Sequence, residues 1–179
     1  MFVQFVKEGH TAPLAIMPEK YVRQYVITEH ETYGEAVRKV AHSLSKKAWG
    51  FWVVEQDIAL SFEAMQELKW ALGCQHFSGY TIAAGNYRLY PPTTGREEIV
   101  AAHRLAPRVF SGYVEPGEWK AAWAVSLGCT WLPLDFIRDF VSNEWDYPGI
   151  DATMSAVARE AHVPMYVYQP RNPIIHLHY

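Results

Sequence analysis

Cysteine is scarce in this sequence, and long apolar runs are absent. Cys74 and Cys129 are the only cysteines among 179 residues, and they lack the Cys-x-x-Cys spacing of zinc knuckles and redox sites. The sequence therefore predicts no disulfide framework, which is typical of a reducing cytoplasm. No run approaches the roughly 18 apolar residues of a membrane-spanning helix, and Lys7 and Glu8 interrupt any signal-type segment. We expect a soluble, cytoplasmic protein with no membrane partner.

An excess of charge of one sign is also lacking. The formal net charge is -3 and the sequence pI is near 6.2, so the chain has no general attraction to nucleic acid. The sequence contains no Gly-x-Gly-x-x-Gly, no Walker loop and no Gly-x-Ser-x-Gly. Rossmann dehydrogenases, P-loop nucleotidases and serine hydrolases depend on these motifs, and those function classes therefore have no support.

Aromatic residues, by contrast, are abundant. The chain has seven Trp, eleven Tyr and eight Phe, and half of its residues are hydrophobic. Such rings most often complete hydrophobic cores, but aromatic walls also stack on sugar rings and bases. The composition indicates a globular protein, with core packing as the first expectation and carbohydrate or nucleotide contact as the second.

Strands and helices alternate in the first part of the chain. A strand is predicted at Tyr21–Ile27, and Thr32 and Glu35 form a capping box ahead of a helical stripe that ends near Leu44. A strand follows at residues 51–54, and a second helix carries Phe62, Met65, Leu68 and Leu72 between Ser61, its cap, and Gly73, its end. This alternation predicts an α/β fold, a single domain over residues 1–179 with a mostly parallel sheet and helices on both faces.

The middle and the end of the chain differ in regularity. Glycines and prolines punctuate residues 75–118, which we interpret as irregular strands and loops that either connect two regular halves or build specificity on the acceptor side. A strand at Trp123–Leu127 and a tight passage at 128–130 follow. The remaining elements predicted are helices at Leu134–Val141 and Asp151–Ala161 and strands at Met165–Tyr168 and Ile174–His178.

The apolar run at 51–54 ends abruptly in two acids, Glu55 and Asp57. Two residues apart on an extended chain, their side chains point to the same side. The carboxyl end of a central strand is where open α/β sheets bind ligands, and carboxylate oxygens suit Mg²⁺ or Mn²⁺, especially ions already held by phosphates. The segment predicts a metal and phosphate site.

Two histidines near the end of the chain could complete such a site. His176 and His178 share one face of an extended segment, and imidazole can complete a Mn²⁺ site that carboxylates begin. The alternative is a solvated strand end.

Asp151 and Gly128 each allow two interpretations. Asp151 opens a helix, so it either caps that helix or serves as a general base toward an acceptor hydroxyl. Gly128 either lets the backbone approach a bound ligand closely or ends a strand where a side chain would clash.

Four motifs in order resemble those of a compact glycosyltransferase of the GT-A type, and more narrowly the small glycosyltransferase-like proteins of bacteria and their phages. They are the strand ending in Val-Val-Glu-Gln-Asp-Ile, the later Leu-Gly-Cys-Thr, the helix led by Asp151, and the closing His-Leu-His. In that family an Asp-x-Asp motif holds a divalent cation on the diphosphate of a nucleotide sugar. Here the first acid is Glu55.

The resemblance implies a role for each of these residues. Asp57 would ligate Mn²⁺ or Mg²⁺, Glu55 would accept a ribose hydroxyl or a metal-bound water, and His176 or His178 would complete the metal shell. Asp151 would act as base toward an acceptor that the sequence does not identify. The implied function is glycosyl transfer from a nucleotide-diphosphate sugar. A catalytically silent sugar- or nucleotide-binding module and a metal-dependent phosphoesterase are the alternatives.

Overall fold

A seven-stranded sheet lies at the centre of the fold. The computed structural model describes residues 1–10, 22–45, 47–75, 77, 79–90, 103–106, 109–110 and 114–177. Along these residues the elements are β1 (Phe2–Lys7), β2 (Val22–Ile27), α1 (Tyr33–Ser43), β3 (Gly50–Glu55), β4 (Ile58–Ala59), α2 (Phe62–Gly73), β5 (Ile82–Gly85), β6 (Tyr87–Tyr90), β7 (His103–Ala106), β8 (Val109–Phe110), β9 (Trp119–Ala121), β10 (Ala124–Val125), β11 (Cys129–Pro133), α3 (Leu134–Phe140), α4 (Ile150–Glu160), β12 (Met165–Tyr168) and β13 (Ile174–Leu177).

The central sheet has the strand order β2-β1-β3-β11-β5-β12-β9. β1 pairs in parallel with β2 and β3, and β12 pairs in parallel with β5. β11 runs antiparallel to β3 and β5, and β9 runs antiparallel to β12. Five of the seven strands therefore run in one direction, which confirms the predicted mostly parallel sheet. Two small sheets accompany it, with the orders β10-β7-β8 and β4-β13-β6.

Both faces of the sheet are covered, as predicted. Along β3, Phe51 and Val53 face one hydrophobic core while Trp52 and Val54 face the other, because successive side chains of a strand point to opposite faces. Buried residues of α1, α3 and α4 belong to the first core. The second core contains the buried side of α2 and apolar residues of β4, β6 and β13.

The helix starts follow the sequence signals. Thr32 accepts a hydrogen bond from the backbone N–H of Glu35 at 3.1 Å, and the Glu35 side chain accepts one from the Thr32 N–H at 3.2 Å, which is the predicted capping box. Ser61 caps α2 through the N–H of Ala64 at 3.0 Å. α2 ends at Gly73, as predicted, and Cys74 forms its C-cap in a right-handed helical conformation. No described helix has the length and apolar character that a membrane crossing requires.

Two central strands differ from the sequence expectation. The irregular middle segment contributes β5, which is fully buried between β11 and β12. The strand expected at Trp123–Leu127 is reduced to Ala124–Val125. Cys129 and Thr130, predicted as part of a tight passage, instead begin the central strand β11. Short strands with a glycine or proline at one end carry a weak local signal, and their position depends on partners far along the chain. The expectations at 91–102, 107–108, 111–113 and 178–179 lie outside the described residues.

We predict that Gly50→Ala destabilises the protein, because an added Cβ would lie 2.4 Å from the carbonyl oxygen of Leu132 and 2.7 Å from the Trp131 ring. Overpacking of this kind should lower the free energy of unfolding by about 2 kcal/mol. Urea denaturation measures this change.

Gly73→Ala is the matched control, since a Cβ there meets no atom within 4 Å. It should raise the free energy of unfolding by about 0.5–1 kcal/mol, because alanine favours the helix. Equal effects of the two substitutions would contradict the close approach of β11 to Gly50.

Candidate functional site

The two acids lie where the sequence places them, at the carboxyl edge of the central sheet. Glu55 ends β3, and Asp57 lies in the short turn before β4. Gln56 holds this turn to the neighbouring strand, because its side-chain oxygen accepts a hydrogen bond from the Lys7 N–H at 3.1 Å. β1 and β3 are parallel, so the end of β1 at Lys7 lies at the same edge.

The last described strand brings a histidine to Asp57. β13 pairs antiparallel with β4 and sets His176 opposite Ile58, while the Leu177 N–H donates to the backbone oxygen of Asp57 at 2.8 Å. The Nε2 atom of His176 lies 2.9 Å from Oδ2 of Asp57. Two segments that are 119 residues apart therefore meet at one point. His178 lies outside the described residues, and its role stays a prediction.

Glu55, Asp57 and His176 form a group that could hold a metal ion. Each offers one ligand atom, and the three atoms lie within 4.8 Å of one another. Two carboxylate oxygens and an imidazole nitrogen fit Mn²⁺ or Mg²⁺, with the nitrogen favouring Mn²⁺. The other carboxylate oxygen of Asp57, Oδ1, is buried with no hydrogen-bond partner among the described residues. A buried carboxylate oxygen without a partner is costly, and a cation at this position would remove that cost.

The Glu55 carboxyl group is a weaker acid than an ordinary glutamate. Its pKa is raised from 4.5 to about 8, chiefly by burial and in addition by the negative charges of Asp151 and Asp57. The Tyr147 hydroxyl donates a hydrogen bond to its Oε1 atom. The site concentrates more negative charge than its surroundings offset, which is the condition that a bound cation relieves.

Asp151 lies in the first turn of α4. Gly149 is the N-cap of α4 and has a φ of 106°, so the helix begins without a side-chain cap. The Asp151 Oδ1 atom instead accepts a hydrogen bond from the Leu127 N–H at 3.0 Å. Burial raises the pKa of Asp151, and the hydrogen bond from Leu127 opposes that rise. The negative charge of Asp151 contributes to the raised pKa of Glu55, so this carboxylate is within electrostatic range of the candidate metal ligands.

Gly128 has a packing reason in this structure. An added Cβ would lie 2.6 Å from Cε1 of Tyr87 and 3.2 Å from Cδ1 of Ile58. Its carbonyl oxygen accepts a hydrogen bond from the Glu55 N–H at 3.0 Å. These contacts support the interpretation that a side chain would clash here, while contact with a ligand stays a prediction.

Three tyrosines surround the site, and sequence reasoning did not assign them to it. Tyr147 packs edge-on against Tyr33 with ring centroids 5.1 Å apart, and the Tyr87 ring lies 5.2 Å from the His176 ring. Tyr147 stands in the turn just before α4, so its nearness in sequence to Asp151 was the available signal. Tyr33 belongs to the helical stripe of α1, so its sequence pattern indicates core packing and not a place beside the site.

An open cavity of about 370 Å³ lies against the two acids. Its lining includes the aromatic residues Phe5, Tyr33 and Tyr147. The exposed residues Lys7 and His10 also line it. The Lys7 ammonium is 5.3 Å from the centre of the Tyr147 ring. The cavity therefore combines aromatic surface and positive charge beside the carboxylates.

Comparison with known proteins supports the fold. No protein-family model matches the sequence, and no curated protein matches it significantly. The A197 protein from STIV matches with a TM-score of 0.58 and 12% identity, over 100% of this chain and 95% of that one. A UDP-glucose pyrophosphorylase from Acinetobacter baumanii matches with a TM-score of 0.51 and 12% identity. That match covers 88% of this chain and 56% of the pyrophosphorylase. At such identities the likeness establishes a shared fold and nothing finer.

The raised pKa of Glu55 predicts a pH dependence of stability in protein freed of metal with EDTA. The folded protein binds the Glu55 proton more tightly than the unfolded chain does. The contribution of this proton to the free energy of unfolding is therefore fully present below about pH 4.5 and is lost as the pH rises to about 8. We expect Glu55→Gln to remove this loss, which is on the order of a few kcal/mol.

Urea denaturation of both proteins between pH 5 and 9, roughly the range over which Glu55 loses its proton, measures the difference. The free energy of unfolding of Glu55→Gln should exceed that of wild type by an amount that grows with pH. A gap that stays constant or shrinks would contradict the raised pKa.

Proposed function

We propose that this protein is a divalent-metal-dependent glycosyltransferase that uses a nucleotide-diphosphate sugar as donor. The observation that carries the proposal is the meeting of Glu55, Asp57 and His176 at the carboxyl edge of the sheet, where the charge of Asp151 also acts on Glu55. The fold supports it, because a UDP-glucose pyrophosphorylase shares the fold over most of this chain. The acceptor is an unidentified hydroxyl compound.

Asp57 and His176 would hold the cation, with Glu55 either as a third ligand or as acceptor of a ribose hydroxyl or a metal-bound water. When bound, the cation supplies positive charge that neutralises the leaving nucleoside diphosphate. Two hydrogen bonds keep these groups in place: the Gln56 side-chain oxygen accepts one from the Lys7 N–H of β1, and the Leu177 N–H of β13 donates one to the Asp57 backbone oxygen. The protein therefore presents the site without having to assemble it on binding.

The donor would lie in the cavity beside the acids. The partly exposed Tyr147 offers aromatic surface to the base, and Lys7 offers positive charge to the phosphates. In the reaction, an oxygen of the acceptor attacks the anomeric carbon while the bond from that carbon to the diphosphate oxygen breaks. Asp151 takes the acceptor proton, and the nucleoside diphosphate leaves with the bonding electrons.

Asp151 has the properties that this role requires. Its carboxylate is held by the Leu127 N–H, so its orientation is set before an acceptor arrives. Burial raises its pKa, and a more basic carboxylate is a better proton acceptor near neutral pH. Asp146, a second carboxylate in the same segment, accepts a hydrogen bond from the Tyr33 N–H at 3.3 Å instead and serves the start of α1.

Nucleotidyl transfer is the second candidate, because the named activity of the Acinetobacter neighbour belongs to that class. In that reaction a sugar phosphate attacks a nucleoside triphosphate and pyrophosphate leaves. Incubation with UTP and glucose 1-phosphate tests it, since pyrophosphate release without transfer from any nucleotide-diphosphate sugar would replace the leading proposal.

Binding of metal and donor provides the first test. We expect calorimetry to show that a nucleotide-diphosphate sugar binds in the presence of Mn²⁺ and that Asp57→Asn weakens this binding about a hundredfold. Asp139→Asn is the control, because Asp139 is an exposed carboxylate of α3 that pairs with Arg138 and Tyr80. Equal binding by wild type and Asp57→Asn would refute the metal role of Asp57.

Turnover provides the second test. Asp151→Asn keeps an oxygen that can accept from the Leu127 N–H but removes the base, so transfer or donor hydrolysis should fall about a hundredfold or more while Mn²⁺-dependent donor binding persists. Release of nucleoside diphosphate from the donor measures the rate. Donor binding without turnover in wild type would indicate a silent binding module, and hydrolysis of simple phosphoesters would indicate a phosphoesterase.

A further inference from the structure

A second and larger cavity lies at the opposite edge of the central sheet. It is a groove of about 920 Å³ between the carboxyl-terminal half of α2 and the edge where β3 begins and β11 ends. Trp49 and Trp131 line it, together with Lys69, Gln75 and Asp135. The acids of the candidate metal site are at the other end of β3, so the groove is a separate feature of the molecule.

Trp49 is unusually exposed for so large an apolar side chain. Its relative exposure is 85%, whereas tryptophan is highly buried on average. Its backbone is nevertheless held, because its carbonyl oxygen accepts a hydrogen bond from the Leu134 N–H at 2.9 Å. The groove therefore presents a solvent-exposed indole ring whose backbone is fixed by a hydrogen bond.

Trp131 provides a second ring whose position is set by packing. Its ring lies so close over Gly50 that a Cβ there would come within 2.7 Å of it. It also packs edge-on against Trp52, with centroids 6.1 Å apart. Trp131 remains partly exposed. A ring that is already held loses little conformational freedom when a ligand stacks on it.

The polar groups of the groove identify the chemistry of its occupant. Lys69 is positive, Asp135 is negative and pairs with Arg138 at 2.9 Å, and Gln75 adds an uncharged amide. The Met1 amino group also lines the groove, and burial and the charge of Lys69 lower its pKa. The lining therefore mixes both signs of charge with uncharged polar groups. Trp52 also lines the groove, and its indole N–H is buried with no hydrogen-bond partner among the described residues. Aromatic faces with donors and acceptors between them suit a neutral ligand that has apolar ring faces and many hydroxyl groups.

We propose that this groove is a binding site for a neutral oligosaccharide, whose sugar rings stack on Trp49 and Trp131. A purely apolar peptide would displace water from Lys69, Asp135 and Gln75 and would offer them no hydrogen bonds in return, which is costly. A sugar chain instead offers hydroxyl groups to these side chains while its C–H faces cover the indoles. The volume of the groove, about 920 Å³, is at the upper end of the range of ordinary ligand sites.

The proposal stands apart from the transfer reaction proposed above. Binding at the groove needs none of the carboxylates at the other edge, so Asp57→Asn should bind the oligosaccharide as wild type does. Failure of glycosyl transfer would therefore leave this site standing, and failure of oligosaccharide binding would leave the metal site standing.

Calorimetry and tryptophan fluorescence with maltohexaose, cellohexaose, chitohexaose and xylohexaose test the site without added metal. We expect saturable binding of at least one of the four. Trp49→Ala should weaken it at least about fivefold, and Trp49→Phe, which keeps a smaller ring, should weaken it less. Because the Trp49 side chain is exposed, its replacement leaves the core intact.

Trp70→Ala is the matched control, since Trp70 is 68% exposed and does not line the groove. It should bind as wild type does. The proposal is overturned if none of the four sugars binds, or if Trp70→Ala and Trp49→Ala have equal effects. It is also overturned if sedimentation shows self-association that Trp49→Ala abolishes, because a second copy of the chain would then cover this face.

Discussion

The burial of β3 on both faces is the constraint on which the rest of the structure depends. Phe51 and Val53 enter one core and Trp52 and Val54 the other, so this strand requires helices on both sides of the sheet. Its interior cannot hold a charged group without a partner. Polar chemistry is therefore confined to its two ends, and the candidate metal site and the tryptophan groove lie at those ends.

Local signals predicted much of this fold. The capping box at Thr32, the cap at Ser61 and the apolar run before Glu55 each act within a few residues, and each is found as predicted. β5 was expected only as an irregular strand and β11 was not predicted, because their stability comes from neighbours that are distant in sequence. β5 pairs with β11 and β12 on either side. The four residues of β5 alone do not predict such a central position.

The candidate site was predictable in its residue types and only partly in its assembly. Paired acids and a terminal histidine suggested a shared site because each lies on an extended segment, and the structure brings Asp57 and His176 within 2.9 Å. Tyr147 was missed because its hydrogen bond to Glu55 joins segments 92 residues apart. The raised pKa of Glu55 was also beyond sequence reasoning, since it arises from burial and from the charge of Asp151.

The two ends of β3 are electrostatically independent. Six residues of extended strand span about 20 Å, which exceeds the Debye length of about 8 Å at physiological ionic strength. Charges at Lys69 and Asp135 therefore have little influence on the acidity of Glu55, and a neutral ligand in the groove has still less. What couples the ends is mechanical, because Gly50 and Glu55 belong to one strand fixed in two cores. A ligand at either end meets a site whose position the same packing determines.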